Sequence, residues 1–211
     1  VCENGNSFNF TNTSVATTTG GSIVSYRWLL GDGSIATTQN IANKTYDSAG
    51  DYNVKLIVTN TLGTCTVTDS IAKKITVFPK PKVGYVLYLN TALQNIVAGD
   101  TLEICNNGGT PGGGHDFQYI SNSTLKRGQM LYNWDFGTNN LTYREGNNTF
   151  VNPRIIFQQN GLFPVELKVT SLEGCVDSFT HYVNIIDLGN PNFTVTDGVR
   201  EAHQQPLITA Q

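Results

Sequence analysis

Apolar side chains occupy every second position in two stretches of the sequence, Tyr52 to Val58 and Phe163 to Val169. This period of two is that of a β-strand with one face in a hydrophobic core. Pro164 lies in the second stretch and predicts a strand edge or an unpaired position there, because proline has no N–H to donate. Residues 71–77 and 182–186 are predicted to be closing strands. The sequence shows no amphipathic helix pattern, and short strands separated by turns are typical of a β-sandwich.

The same pattern occurs twice along the chain. The matching segments are residues 26–33 and 132–137, followed by residues 50–59 and 161–170. Self-similarity of this kind predicts two homologous domains. We place them at residues 1–79 and 83–188, the second with a glycine-rich insertion, and we expect a short, stiff proline linker at residues 80–82. Residues 189–211 are predicted to be a linker or the start of a further module.

Four cysteines are present, an even number that favours disulfides in an oxidising compartment. Of the three possible pairings, the repeat favours Cys2–Cys65 and Cys105–Cys175, one in each domain. Free or metal-bound thiols are the alternative, although no Cys-x-x-Cys motif or suitably spaced histidine supports a zinc site. The predicted fold is therefore all-β, with two tandem Ig-like β-sandwiches that each contain one intradomain disulfide.

Two tryptophans, Trp28 and Trp134, occupy the same position in the two copies, next to glycine-rich turns. A core tryptophan packed near the disulfide explains both positions, and stacking on a glycan is the alternative. Tyr52 and Phe163, which are also equivalent in the repeat, are predicted to be core residues.

Composition and charge narrow the function classes. The chain has 211 residues, of which 14% are charged, and its net charge is −3. It offers no basic face for a phosphate backbone, which argues against a nucleic-acid partner. No apolar run approaches the ~20 residues of a membrane helix, so no membrane insertion is expected. The sequence begins without a signal-peptide pattern and with Cys2 already part of a domain, so we expect a fragment of a longer protein.

The sequence contains no recognisable catalytic motif. Its three histidines form no His-Glu-x-x-His motif, and no Gly-x-Ser-x-Gly elbow or phosphate-binding glycine-rich loop occurs. We therefore expect neither enzyme activity nor a cofactor. Calcium is the one metal to consider, with Asp32, Asp51 and Asp100 as candidate ligands in acidic turns, although no contiguous Asp-x-Asp-x-Asp run is present.

The least regular stretch is the insertion between Cys105 and Trp134. Loops at the ends of a β-sandwich commonly carry binding residues. The candidates for contact with a ligand or a neighbouring chain are His115, Asp116, Phe117 and Tyr119. A flexible or locally packed insertion is the alternative.

The residues from Trp28 to Gly33, followed by Tyr46 and by Gly50 to Leu56, resemble a pattern of the PKD (polycystic kidney disease) domain family. That pattern is Trp-x-Phe-Gly-Asp-Gly, then Tyr-x-x-x-Gly-x-Tyr-x-Val-x-Leu. The second copy, from Trp134 onward, is similar, but residues 138–140 replace its Asp-Gly turn. The resemblance covers most of both domains and implies a PKD-type β-sandwich, whereas function does not follow from such a fold.

With its added cysteine pair, the chain resembles tandem PKD modules of large bacterial surface proteins, including gliding adhesins and other cargo of the type IX secretion system. This implies an extracellular location at the bacterial cell surface and a non-enzymatic spacer or stalk that presents adhesive regions away from the cell. In such a host, Ser48, Ser70 and Thr101 match an O-glycosylation motif, Asp-Ser/Thr-apolar.

The expected partners are neighbouring modules of the same polypeptide, with surface glycans and other cell-surface proteins as further candidates. Two alternatives to the spacer stay open. One is a carbohydrate- or protein-binding accessory module of a secreted protein. The other is a structural subunit of a surface filament.

Overall fold

The computed structural model of the chain describes residues 1–16, 20–106, 114–187 and 189. Their regular secondary structure consists of fifteen β-strands in four sheets. None of these residues belongs to a helix long and apolar enough to cross a membrane. The centre of the glycine-rich insertion and nearly all of the segment predicted as a linker or further module, residues 189–211, lie outside the described residues.

The first six strands form the N-terminal sandwich. They are β1 Phe8–Phe10, β2 Ser22–Leu29, β3 Ile35–Ala36, β4 Ile41–Lys44, β5 Gly50–Leu62 and β6 Cys65–Val77. The larger sheet has the order β3-β2-β5-β6, and the smaller sheet pairs β1 with β4. All these pairs are antiparallel.

The other nine strands form the C-terminal sandwich. They are β7 Tyr85–Leu89, β8 Ala92–Gln94, β9 Thr101–Asn106, β10 Phe117–Ser121, β11 Met130–Asp135, β12 Leu141–Glu145, β13 Arg154–Phe157, β14 Gly161–Ser171 and β15 Val176–Asp187. One sheet has the order β12-β13-β10-β7-β8 and the other β11-β14-β15-β9. Strand β9 runs parallel to β15. The two Ig-like β-sandwiches are as predicted, while the domain boundaries at residues 79 and 83 stay a prediction.

The two stretches with alternating apolar side chains form strands β5 and β14, as predicted. In β14 the side chains from Phe163 to Val169 at every second position are at most 3% exposed, because one face of the strand meets the core. Trp28 and Trp134 are 6% and 2% exposed, and their indole N–H groups donate to backbone carbonyls at 3.1 and 2.9 Å. Both rings belong to the core of their sandwich, as predicted. Tyr52 is only half-buried.

Strand β14 has a partner on one side only at Pro164. Strand β14 is an inner strand of its sheet, but β11 ends opposite Glu166, so Pro164 occupies an unpaired position, one of the two predicted alternatives. Gly137 approaches Pro164 closely: its φ is 68°, and an added Cβ would lie 2.5 Å from the proline Cδ. In the first sandwich the equivalent Gly31 meets the backbone of Asn53 in the same way, at 2.8 Å. Both positions therefore require glycine.

The closing strands are longer than the sequence pattern indicates. Strand β6 has 13 residues and β15 has 12, whereas alternation predicts only residues 71–77 and 182–186. The first ten residues of β6 are all exposed. An exposed strand needs no apolar face, so this part of β6 carries no period of two.

Candidate functional site: the junction between the two sandwiches

The N-terminal residues of the chain pair with the residue that follows β6. Phe78 forms backbone hydrogen bonds of 2.8 Å to the residues on both sides of Cys2, which places Cys2 beside it in a parallel bridge. The Asn6 amide, 3% exposed, donates to the Tyr46 carbonyl and accepts from the Tyr46 N–H, both at 2.8 Å. These bonds hold Cys2 at the end of the first sandwich, where β6 ends.

Cys175 closes the turn between β14 and β15. The Ser171 N–H donates to the Cys175 carbonyl at 2.8 Å, and the Gly174 N–H donates back to Ser171 at 2.9 Å. Gly174 has a φ of 85°, a conformation that glycine adopts without steric cost. Cys175 itself is 1% exposed, whereas Leu172, Glu173 and Gly174 of the turn are exposed.

A disulfide joins Cys2 to Cys175, with a Cα–Cα distance of 5.6 Å across a sequence separation of 173 residues. The bond links the two sandwiches covalently. Both predicted intradomain pairings, Cys2–Cys65 and Cys105–Cys175, are therefore wrong. Cys65 and Cys105 are free and exposed.

The reason is that each predicted pair lies at opposite ends of one long strand. Cys65 begins β6, whose 13 residues separate it from Cys2 beside the strand's far end. At about 3.3 Å per residue this is roughly 40 Å, whereas bonded cysteines have Cα atoms within about 7 Å. Cys105 lies beside the end of β15, and Cys175 precedes its start. Neither intradomain bond is geometrically possible.

Two ionic contacts flank the disulfide. Lys80 Nζ lies 2.6 Å from Asp177 Oδ1, and Arg127 lies 3.6 Å from Asp51 Oδ1. The Arg127 guanidinium also lies over the Phe78 ring, 5.6 Å from its centroid. These side chains are partly exposed, so each pair stabilises by at most about 1 kcal/mol. They add weak contacts between the two sandwiches beside the covalent bond.

The predicted proline linker is packed rather than extended into solvent. Pro79 and Pro81 are both buried. Between them, the Lys80 N–H lies 3.4 Å from Glu3 Oε1 of the first sandwich. Lys82 exchanges two backbone hydrogen bonds of 2.9 Å with Thr124 of the second sandwich. The linker therefore contacts both sides of the junction.

The candidate binding loop is mostly structural. Phe117 and Tyr119 are fully buried in the second core, because they face inward from β10, so the prediction that they contact a ligand is wrong. Asp116 accepts two hydrogen bonds from Arg154, at 2.7 and 2.5 Å. His115 Nε2 lies 3.1 Å from the Cys105 carbonyl oxygen. These contacts fit the alternative of a locally packed segment.

The three candidate calcium ligands do not come together. Asp32 pairs with Lys44 at 2.6 Å; burial raises its pKa, but hydrogen bonds from Lys44 and Ser34 outweigh this and lower the pKa to about 2. Asp51 belongs to the junction, and Asp100 lies in the second sandwich. Among the described residues no cluster of three His, Cys, Asp or Glu could hold a metal ion. Calcium stays a prediction that these positions do not support.

The three candidate glycosylation sites are exposed. Ser48 lies in a turn before β5, Ser70 on β6 and Thr101 at the start of β9. Their hydroxyl groups face solvent at different places on the two sandwiches. Modification at these residues stays a prediction.

A buried histidine was missed by the sequence reasoning. His181 is 1% exposed in β15, and burial lowers its pKa to about 4. The Tyr85 hydroxyl lies 2.5 Å from His181 Nδ1 and 3.1 Å from the Val165 carbonyl oxygen. The other ring nitrogen, Nε2, is buried without a partner among the described residues. The sequence feature that indicates its burial is its position two residues from both Phe179 and Val183, which lie on the inward face of β15.

A groove of about 380 Å³ opens in the first sandwich beside β1. Apolar side chains such as Phe8, Phe10 and Ile71 line it together with polar ones such as Asn12 and Lys73. Strand β10 of the second sandwich pairs on both sides, with β13 and β7, whereas β1 pairs with β4 alone. The described part of the chain thus contains no counterpart of β7 in the first sandwich, which leaves its core open at this edge.

The solved structures that resemble this chain include three distant likenesses. Drosophila N-cadherin EC1-4 matches with 9% identity and a TM-score of 0.33, over 76% of this chain and 41% of that chain. The fibronectin(III)-like modules of Clostridium thermocellum CbhA match with 12% identity and a TM-score of 0.32, over 92% and 94%. Human CDH23 EC21-23 matches with 10% identity and a TM-score of 0.34, over 88% and 70%. At these scores the likenesses carry no functional conclusion.

Comparison of the sequence with known families gives one match. Residues 1–75 match the PKD domain family, and no curated protein matches the chain. The matched residues include the turn at Gly31 and the alternating strand β5. The disulfide is itself typical of extracellular proteins. Residues 1–75 are therefore similar to a PKD domain, and they form most of the first of two Ig-like β-sandwiches.

Proposed function

We propose that this pair of domains is a non-enzymatic spacer in a large bacterial surface adhesin, where it holds adhesive regions away from the cell. The observation that carries the proposal is the disulfide between Cys2 and Cys175, because it joins the sandwiches at the point where a spacer would otherwise bend. Location at the bacterial surface, type IX secretion and a link to gliding motility are part of the proposal. They rest on the resemblance to tandem PKD modules.

The junction supports this function through the number of its connections. Two rigid bodies joined by one peptide linker are free to rotate about it. A second covalent connection at another point restricts that rotation to one axis. The contacts of Lys80 with Asp177 and of Arg127 with Asp51 oppose the motion that remains. The disulfide thus acts between domains and not, as predicted from the sequence, within each of them.

Glycosylation is a further part of the proposal. Ser48, Ser70 and Thr101 carry exposed hydroxyl groups within the motif of bacteria that use type IX secretion. A glycan at these positions would face solvent without displacing a core side chain. This supports a glycoprotein whose sugars lie on the flanks of the spacer.

The rigidity of the junction can be measured with spin labels on the two free cysteines, without new labelling sites. Cys65 and Cys105 are exposed and lie in different sandwiches, so spin labels attached to them report the distance across the junction. We expect pulsed EPR to give one narrow distance distribution for the native chain, because the junction is fixed. In the matched variant Cys2→Ser/Cys175→Ser, labelled at the same two residues, the distribution should become broad.

The control is the melting curve of the variant, which must show that both sandwiches are folded at the temperature of the measurement. A broad distribution in the native chain would contradict a rigid spacer. Equally narrow distributions in both proteins would contradict the role given to the disulfide.

A binding module is the second candidate, and the groove beside β1 is the observation that favours it. Its apolar lining, including Phe8 and Phe10, suits stacking on a sugar ring or packing against an extended peptide. The fragment applied to a glycan array separates the two functions. Selective binding that Phe10→Ala abolishes supports the binding module, and the absence of binding supports the spacer.

A further inference from the structure

The two cysteines without a partner occupy the same places in the fold as the two that form the disulfide. Cys2 and Cys105 are one matching pair, and Cys175 and Cys65 are the other. Each sandwich therefore contains one cysteine equivalent to Cys2 and one equivalent to Cys175. Only the two at the junction, Cys2 and Cys175, are joined, whereas Cys65 and Cys105 are free.

Cys105 corresponds to Cys2 by its backbone pairing. Cys2 forms a parallel bridge with Phe78, and Phe78 is the residue directly after the end of β6. Cys105 lies in the parallel pairing of β9 with β15, opposite Ile186 at the end of that strand. In both sandwiches the cysteine thus lies beside the end of the last strand. In the second sandwich this is the end remote from the junction.

Cys65 corresponds to Cys175 by its place in a hairpin turn. Cys175 precedes the last strand of the second sandwich, and Cys65 is the first residue of the last strand of the first. Exposed apolar side chains accompany the free thiol: Leu62, opposite Cys65 in the register, is 44% exposed and Val67 is 64% exposed. A neighbouring domain would cover this tip, as the first sandwich covers Cys175.

We propose that Cys105 and Cys65 form the same interdomain disulfide with further sandwich domains of this kind, so that the link between Cys2 and Cys175 repeats along a row. Cys105 would bond to the cysteine equivalent to Cys175 in a following domain. Cys65 would bond to the cysteine equivalent to Cys2 in a preceding domain. The inference rests on the spacer function proposed above and identifies its partner. Every junction in such a row of domains would then contain one interdomain disulfide.

Each new link is an oxidation that needs an acceptor of electrons. Two thiols lose two protons and two electrons, and one S–S bond forms. The oxidant is a disulfide, which accepts those electrons and protons and leaves as two thiols after thiol–disulfide exchange. Extracellular proteins meet such oxidants in their compartment.

The two free cysteines of this chain, Cys65 and Cys105, are sufficient to test the proposal. The variants Cys65→Ser and Cys105→Ser each keep the Cys2–Cys175 bond and one outer thiol. Mixed in equal amounts in a buffer of reduced and oxidised glutathione, they should form heterodimers between Cys105 of one and Cys65 of the other. We expect an excess of about fivefold over either homodimer, since only the unlike ends are complementary.

Non-reducing peptide mapping identifies the products, with each variant incubated alone as the control. Random pairing, which gives twice as much heterodimer as either homodimer, overturns the inference. So does a result in which both thiols carry only glutathione. Either failure leaves the spacer proposal standing, because that proposal is tested at Cys2 and Cys175 by the EPR distances.

Discussion

Stretched from its two ends, the oxidised chain is expected to lengthen by about 600 Å less than the variant Cys2→Ser/Cys175→Ser, at roughly 3.5 Å per extended residue. The disulfide closes a loop between residues separated by 173 positions. Tension that enters at Val1 passes through Cys2 directly to Cys175 and on through β15. The residues inside the loop carry none of it.

The consequence differs between the two sandwiches. All strands of the first sandwich lie within the loop, so pulling leaves it folded. In the second sandwich only β15 is under load, and it lies between β14 and β9. Detaching it requires breaking pairs on both sides, which is expected to need a high force.

Single-molecule force spectroscopy with handles at the two chain ends measures this difference. The tail after Asp187 contributes equally to both proteins and cancels in the comparison. Addition of a reductant to the native chain should reproduce the lengthening of the variant. Equal contour lengths for the native chain and the variant would show that the bond does not carry the load.

Acidification is expected to lower the free energy of unfolding by about 3 kcal/mol between pH 6.5 and pH 4 through His181 alone. Burial lowers the pKa of His181 in the folded protein to about 4. The unfolded chain therefore takes up a proton near pH 6.5, while the folded protein stays neutral. The stabilisation is complete above pH 6.5, falls as the pH drops and is lost by about pH 4.

The geometry around the ring explains why protonation is costly. A protonated imidazole carries a proton on both nitrogens, and its Nε2–H would be buried without a partner among the described residues. A charged, unpaired donor in an apolar core carries a large desolvation penalty. The neighbouring rings of Tyr85 and Tyr119 offer no carboxylate to offset it.

Denaturant titrations from pH 7 to pH 4 measure the effect in three proteins. His181→Phe removes the group and should flatten the pH dependence in this window. His115→Gln, which replaces a histidine outside the core, is the matched control. An imidazole NMR titration of His181 gives its pKa directly, and a midpoint near 6.5 would contradict the assignment.

The fold was predictable because its signals are local. Alternation from Tyr52 to Val58 and from Phe163 to Val169 marked the two central strands, and the internal repeat marked two sandwiches. Pro164 indicated an edge or an unpaired position, and the structure places it at an unpaired position of β14. Phe117 and Tyr119 were misjudged because β10 has only five residues. Their alternation is too short to stand out against the glycine-rich segment before it.

The disulfide could not be predicted because it depends on which ends of the strands meet. The repeat identifies equivalent cysteines, but equivalence does not say whether a pair lies at the same end of a sandwich. Recognising residues 65–77 as one uninterrupted strand would have excluded Cys2–Cys65 by its length. That strand is exposed over most of its course, so its hydrophobic pattern gave no sign of its extent.

The central claim is that a disulfide joins the two sandwiches, and tryptic mapping tests it most directly. The four cysteines fall in four different peptides, residues 1–27, 56–73, 83–126 and 169–200. After alkylation of free thiols in the native, unreduced protein, we expect peptide 1–27 linked to peptide 169–200, with Cys65 and Cys105 alkylated. Peptide 1–27 linked to 56–73, or 83–126 linked to 169–200, would place the bonds within the domains and contradict the account.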